Sequence, residues 1–318
     1  AGTFREAERL LADFNIRTVI GGTAASITVV GPRGPVHSSD FSVTVPASVK
    51  SAVLETQAGN LIASDLAGEL NGQTRAGRIE LDRLGAAASV RTGGGEVHVG
   101  RVAGGVRCYS GGGNIRAEAV GNDSWFETAG GDIQIGDGSG PIHAMTAGGN
   151  IKVDRCSADV FARTGAGVID VRQAGGLVTA DNSSGAIQIE SARGVRCESS
   201  AGAIRLRNVG DGAMEATTAM GNILAELLSG TRIRDSLLST NAGDITVFLA
   251  SNIPVTVQAR NETPGGRRGI ISEFPEIRIR LAGFDGSMPL FAEGALNGGG
   301  PVLRISASGG TIYLRRHK

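Results

Sequence analysis

Aromatic side chains make up only 4% of this 318-residue chain, with one tryptophan and two tyrosines among them. Large rings supply much of the buried area of an ordinary globular core, so this chain must fill its interior another way. Net charge is missing too, with 31 Lys and Arg against 31 Asp and Glu. That balance provides no global field toward nucleic acid or an anionic membrane, and partners must be recognised by local surface. No apolar run approaches the roughly 18–20 residues that cross a bilayer, and no charged-then-apolar leader opens the sequence. The expectation is a cytoplasmic protein or, if a targeting segment lies outside this chain, one of the bacterial cell envelope or another extracytoplasmic site; membrane contact would need an anchor this chain does not carry. Cysteine is scarce, at three residues. Cys108 and Cys197 share one repeat column five coils apart, about 24 Å at a strand spacing of roughly 4.8 Å. That is far beyond the roughly 7 Å Cα limit for a disulfide. Cys156 belongs to another column, so buried free thiols are expected.

Glycine is what the chain has in abundance, with 50 residues. The segments FETAGGDIQI, MTAGGNIKV and RTGAGVIDV repeat one phrase, with marker glycines at Gly131, Gly149 and Gly167. Extended both ways, the register runs Gly59, Gly77, Gly95, Gly113, Gly131, Gly149, Gly167, Gly185, Gly202, Gly221 and Gly243, with seven spacings of 18 and then 17, 19 and 22. A repeat this regular describes one elongated unit in which each coil touches only its neighbours.

The columns give the interior directly. Two residues after each marker stands an aliphatic side chain, as in Val97, Ile115, Ile133, Ile151 and Ile169. Four after it the column is again small or aliphatic, and between them Glu80, His98, Arg116 and Lys152 face water, as strand alternation requires. Five before the marker lie Val90, Cys108, Phe126, Ala144 and Ala162, with Gly72 as the exception. Three before it runs a hydroxyl column, Thr74, Thr92, Ser110, Thr128, Thr146 and Thr164, with Asn182 in place of a hydroxyl. Parity places this ladder inside, each hydroxyl bonding another hydroxyl or a turn peptide. An ice-binding surface needs an outward threonine array, which this parity opposes.

The fold expected is therefore all-β: a single-stranded parallel β-helix, or β-solenoid, of about 18 residues per coil, right-handed in its crossovers and capped at both ends. A second glycine often falls half a repeat later, at Gly68, Gly104, Gly140 and Gly176. Two corners suggest a flattened section, although 18 residues also suit a triangular one. Residues 1–50 read as an N-terminal cap: a short amphipathic helix over 5–14 lying on the first coil, then leading strands NIRTVI, ASITVV and FSVTV. Residues 51–252 are the regular coils, and 253–318 are distorted closing coils that finish the core and blunt its edge.

The phrases TAGGDIQI, TAGGNIKV and TNAGDITV, the SEFPEIRI element at 272–279 and the terminal GGTIYLRR resemble the bacterial adhesin-like β-solenoid family, whose function is undefined. The resemblance covers about residues 40–318. It implies an envelope-associated, non-enzymatic solenoid, often carried after a membrane anchor, and it supplies no catalytic residues.

Outward columns are where recognition can be sought. Six before the markers stand Arg107, Trp125, His143 and Phe161; four before them stand Arg91, Tyr109, Glu127, Met145 and Arg163. Exposed aromatics with arginine are the composition of interfaces. Arg91, Arg107, Tyr109, Trp125, His143, Met145, Phe161 and Arg163 are thus the candidate binding residues. The candidate partner is a protein, a second copy of the chain in a self-associating scaffold, or a glycan stacking on Trp125. A terminal segment packed over the flank, or a bulge turning Trp125 inward, is the bland alternative.

No catalytic residue, metal or cofactor is expected. The Asn and Asp one residue after the markers suit tight corners; calcium-binding nine-residue repeats would need Asp in every half-coil. His37, His98, His143 and His317 share no metal-ligand spacing. A carbohydrate-cleaving β-helix is the minor alternative, needing convergent carboxylates in a walled groove. Only Asp170 and Glu190 offer such a pair, and a constant coil length leaves no loop to wall it.

Overall fold

The computed structural model describes residues 9, 12, 14–31, 40–230, 232–262, 269–281 and 289–317. They fall into two units, Ala1–Val45 and Pro46–Lys318.

In the first unit Asn15–Ile20 and Ala25–Val30 pair antiparallel, and the Gly21 amide donates to the Ala24 carbonyl at 2.8 Å. These segments were expected as leading strands of the coil register, and they form a hairpin instead. A link this short can join only antiparallel strands, because a parallel pair needs a crossover of about a dozen residues. The third expected strand, at 41–45, is not a strand, although Phe41 meets Phe14 edge-on at 6.3 Å between centroids. The helix expected over 5–14, apart from helical Arg9 and Ala12, lies outside the described residues, as does its docking.

The second unit is the β-solenoid, with about 18 residues per coil. Each regular coil contributes one strand to each of two parallel sheets, so the section is flattened rather than triangular. The front sheet starts at Ser51–Thr56 and continues through Glu69–Thr74, Ala88–Thr92, Val106–Ser110, Ser124–Thr128, Ile142–Thr146 and Val160–Thr164. The back sheet holds the strands that follow each marker, such as Ile133–Gly138 and Ile151–Cys156. Identical phrases lie side by side, as in Ile115↔Ile133↔Ile151↔Ile169.

Side chains two and four past the marker fill the interior: Ile133, Ile151, Ile169, Val153 and Val171 are all buried. Each such aliphatic contributes roughly 1.5–3 kcal/mol of transfer free energy, which a narrow core accumulates coil by coil. Phe126 is the largest fully buried side chain, and its register neighbours are the small Cys108 and Ala144. Cys108, Cys156 and Cys197 are free buried thiols, all pushed up by burial.

The hydroxyl ladder is inward and bonds turn peptides rather than other hydroxyls. Thr146 Oγ1 donates to the Gly131 carbonyl of the preceding coil at 2.9 Å and accepts the amide of its own Gly149 at 3.1 Å. The same two bonds recur at Thr74, Thr92, Ser110, Thr128 and Thr164. Coils thus meet at the marker so closely that a Cβ on Gly149 would stand 2.0 Å from the Gly131 carbonyl oxygen. Just past the corner a second ladder runs: Asn114 Oδ1 accepts from the Asp132 amide at 2.8 Å, and Asp132 Oδ1 from the Asn150 amide at 2.7 Å. Those oxygens are occupied by backbone donors, which accounts for the Asn and Asp at this column.

The closing region departs from sequential stacking. Val302–Ala307 pairs in parallel with Ser236–Thr240 on one side and with Val255–Asn261 on the other. Ile312–Arg316 likewise lies between Ile245–Leu249 and Ile270–Ser272. The last coil in sequence is therefore the penultimate coil in space. Beyond it, Leu290–Leu296 and Arg278–Leu281 add antiparallel strands to the front sheet. Reversing strand direction and placing Arg278 and Arg280 on the last strand blunts the edge for further pairing.

Candidate binding flank

Strands Ser124–Thr128, Ile142–Thr146 and Val160–Thr164 carry the flank, because their inward positions are taken by Phe126, Ala144 and Ala162. The alternate side chains must then point outward. The register sets Arg107, Trp125, His143 and Phe161 side by side, and beside them Arg91, Tyr109, Glu127, Met145 and Arg163. All eight expected residues stand on the outer side of the front sheet. Trp125 and Phe161 are 39% and 38% exposed, so no bulge turns the tryptophan inward.

The three rings form a stack. Trp125 and His143 lie 3.8 Å apart with planes 4° from parallel, and His143 and Phe161 lie 4.6 Å apart at 6°. In-register strands hold rings at the strand spacing, so the stack follows from the backbone ladder. Each contact adds about 0.5–1.5 kcal/mol beyond area burial. Column counting missed Asp123, whose carboxylate takes the Trp125 Nε1 hydrogen bond at 3.2 Å and faces His143 Nε2 at 3.3 Å. It sits at the corner before the strand, where Asn122 turns the chain with φ of 47°. In the neighbouring column the Arg91 guanidinium lies 4.4 Å over the Tyr109 ring.

Stacking decides what the flank can present. Both faces of His143 are covered, so the middle of the stack offers ring edges. Two ring faces remain: Trp125 toward the Arg107 coil, and Phe161 toward the Thr179 coil. On the Trp125 side a groove of about 520 Å³ runs over the first five front strands, lined among others by Val53, Glu69, Asn71, Ser89, Arg107 and Asp123. The outward column is small there, Val53, Asn71 and Ser89, and rises to Arg107 and Trp125. The groove was not anticipated.

Asp170 and Glu190 lie on the opposite sheet. Burial, reinforced by Glu190 and Asp154 and opposed by Arg172 and Lys152, holds the Asp170 carboxyl above its ordinary value. Around it Asp154 pairs with Arg172 at 3.3 Å and Lys152 at 3.7 Å, a network of alternating charges along the coils. Among the described residues no group of three His, Cys, Asp or Glu side chains is placed to hold a metal ion, and no helix is long and apolar enough to cross a membrane. Compared with known family models, curated proteins and solved structures, the chain matches none.

Proposed function

We propose that this chain is a non-enzymatic, adhesin-like spacer of the bacterial cell envelope, a rigid β-solenoid that binds a partner through the Trp125 flank. The observation that carries this is the exposed Trp125–His143–Phe161 stack, fixed by parallel strands and by Asp123. Rings already immobilised lose little conformational entropy on binding, the condition under which exposed aromatics act as anchors. Rigidity is supported by two bonded ladders, at the hydroxyls and at the Asn and Asp corners, that tie successive coils. The envelope assignment rests on the phrase resemblance alone.

The test is co-sedimentation of the purified protein with isolated bacterial envelopes. A double Trp125→Ser, Phe161→Ser variant, shown to be folded by circular dichroism, is expected to bind at least tenfold more weakly. Equal binding removes the flank from the function. Sedimentation velocity on both proteins separates a monomeric spacer from a scaffold joined through the same rings, because only the scaffold dissociates on substitution.

A further inference from the structure

Resting on the flank reading above, we infer that the groove beside Trp125 is a binding site for a neutral oligosaccharide, with the open face of Trp125 as its end platform.

The first support is shape. The groove's volume of about 520 Å³ falls within the roughly 300–1,000 Å³ of ligand sites. It crosses five front strands, about 19 Å at a strand spacing of roughly 4.8 Å, which suits a short linear chain of sugars rather than a single ring.

The second is the state of its polar groups. Elsewhere on the solenoid, outward charges are paired between coils: Arg83 with Asp65 at 2.6 Å, Arg155 with Asp137 at 2.5 Å, Arg207 with Glu226 at 3.0 Å. Along the groove the side chains of Glu69, Asn71, Ser89 and Arg107 hold no hydrogen bond or ion pair among the described residues. Carboxylate, amide, hydroxyl and guanidinium groups on a common wall supply both donors and acceptors, which is what vicinal sugar hydroxyls require. Two carboxylates, on Glu69 and Asp123, against the single Arg107 cation weigh against an anionic ligand.

The third is the ring. His143 stacks on one face of Trp125 and Phe161 backs His143, so the indole is braced from behind. No described side chain stacks on the opposite face, which looks along the coil axis toward Arg107 and the groove. Its Nε1 is held by Asp123, itself a groove residue. An apolar ring face closing a line of unpaired polar groups matches the two surfaces of a pyranose, its C–H face and its hydroxyl rim. A protein partner would instead meet ring edges farther along the stack.

Trp125 is the only tryptophan, so its fluorescence reports this site alone. The wild-type protein is screened on an array of neutral tri- to pentasaccharides, and those retained are titrated while emission is followed. We expect a saturable change in emission. Ser89→Arg, an outward change that fills the groove, should weaken binding at least tenfold at unchanged thermal stability. Phe161→Ser, at the far end of the stack, should change it less than threefold. No oligosaccharide bound by the wild type, or full binding retained in Ser89→Arg, overturns the site. If that happens while the Trp125→Ser, Phe161→Ser variant still loses envelope binding, the groove fails and the flank stands.

Discussion

Trp125 and His143 stack face to face at 3.8 Å, and one carboxylate, on Asp123, reaches a ring nitrogen of each. The rings share a column because the repeat is 18 residues, so their contact is a product of register rather than of a folded-over loop. Because His143 contacts Phe161 as well, the two contacts should couple. A double-mutant cycle on Trp125→Ala and His143→Ala is expected to give a coupling of about 1 kcal/mol, read by chemical denaturation. A value near zero would mean that the rings stack without stabilising each other.

Adjacent glycines at one corner should differ sharply in tolerance. A Cβ at Gly149 would stand 2.0 Å from the Gly131 oxygen and 2.4 Å from its carbon, both backbone atoms of the coil beneath. At Gly148 a Cβ meets nothing within 4 Å. Gly149→Ala is therefore expected to cost at least about 3 kcal/mol, at the upper end of overpacking, because two backbones must separate. Gly148→Ala should remain within about 1 kcal/mol of wild type. Paired thermal melts check both.

Column counting succeeded where parity and repetition impose one answer. Ile151 could only point inward once Lys152 and its column faced water, and the ring column could only point outward once Phe126 and Ala144 were buried. It failed where the same local phrase is compatible with several placements. Residues around Gly310 read as another coil, and nothing local states that they slot between Ser236–Leu249 and Val255–Ser272. NIRTVI and ASITVV alternate at period two in parallel and antiparallel sheets alike, so only the short link at Gly21–Ala24 decided for a hairpin. Asp123 lies at a corner, outside the strand columns, although an acid two residues before an outward tryptophan was the signal available. The groove arises from small side chains at Asn71 and Ser89, whose meaning appears only beside the larger Arg107 and Trp125.

The hydroxyl ladder predicts opposite effects at two of its positions. Thr146→Val removes the acceptor of the Gly149 amide and the donor to the Gly131 carbonyl, leaving buried backbone groups unpaired. A loss of about 2–3 kcal/mol is expected. At the irregular rung, Asn182 Nδ2 donates to the Gly185 carbonyl at 2.8 Å while its buried Oδ1 has no partner. Asn182→Thr restores the repeat residue and removes that oxygen, and should stabilise by about 1 kcal/mol. Denaturant midpoints with unchanged slopes would establish both signs.

Two exposed-side carboxylates should respond to acid in opposite senses. The Arg155 guanidinium holds Asp137 below its ordinary range, so its stabilisation is present above the unfolded carboxylate value near 3.9 and is lost as pH falls through the lower folded value. Burial, the leading cause, holds Asp170 above that range; its ionised form costs stability at neutral pH, and the cost is relieved as pH falls through the raised value. Asp137→Asn should therefore destabilise at pH 7, and Asp170→Asn should stabilise there, each by less than about 1 kcal/mol at these solvated sites. Both differences should vanish by about pH 3 or lower, as measured by melting across pH.

The intercalated last coil predicts how the C-terminal end fails. Leu303, Ile305, Ala307, Ile312 and Leu314 are buried between two coils that are not each other's neighbours, and Asn261 Nδ2 reaches across to the Gly310 carbonyl at 2.7 Å. Deleting 302–318 withdraws pairing from both sides at once: Val255–Asn261 and Ile270–Ser272 lose their parallel partners, and Ser236–Leu249 becomes an open edge. Stability in a solenoid is a sum of coil and neighbour contributions, so the damage should stay local. Limited proteolysis with mass spectrometry is expected to cut the shortened chain within 250–301 while the coils up to about Leu227 remain protected. Hydrogen exchange should show protection falling over Ile245–Leu249 and remaining at wild-type levels for Ile133–Val171. Uniform loss along the whole stack would mean that the last coil is required for the solenoid to fold at all, rather than only to close it.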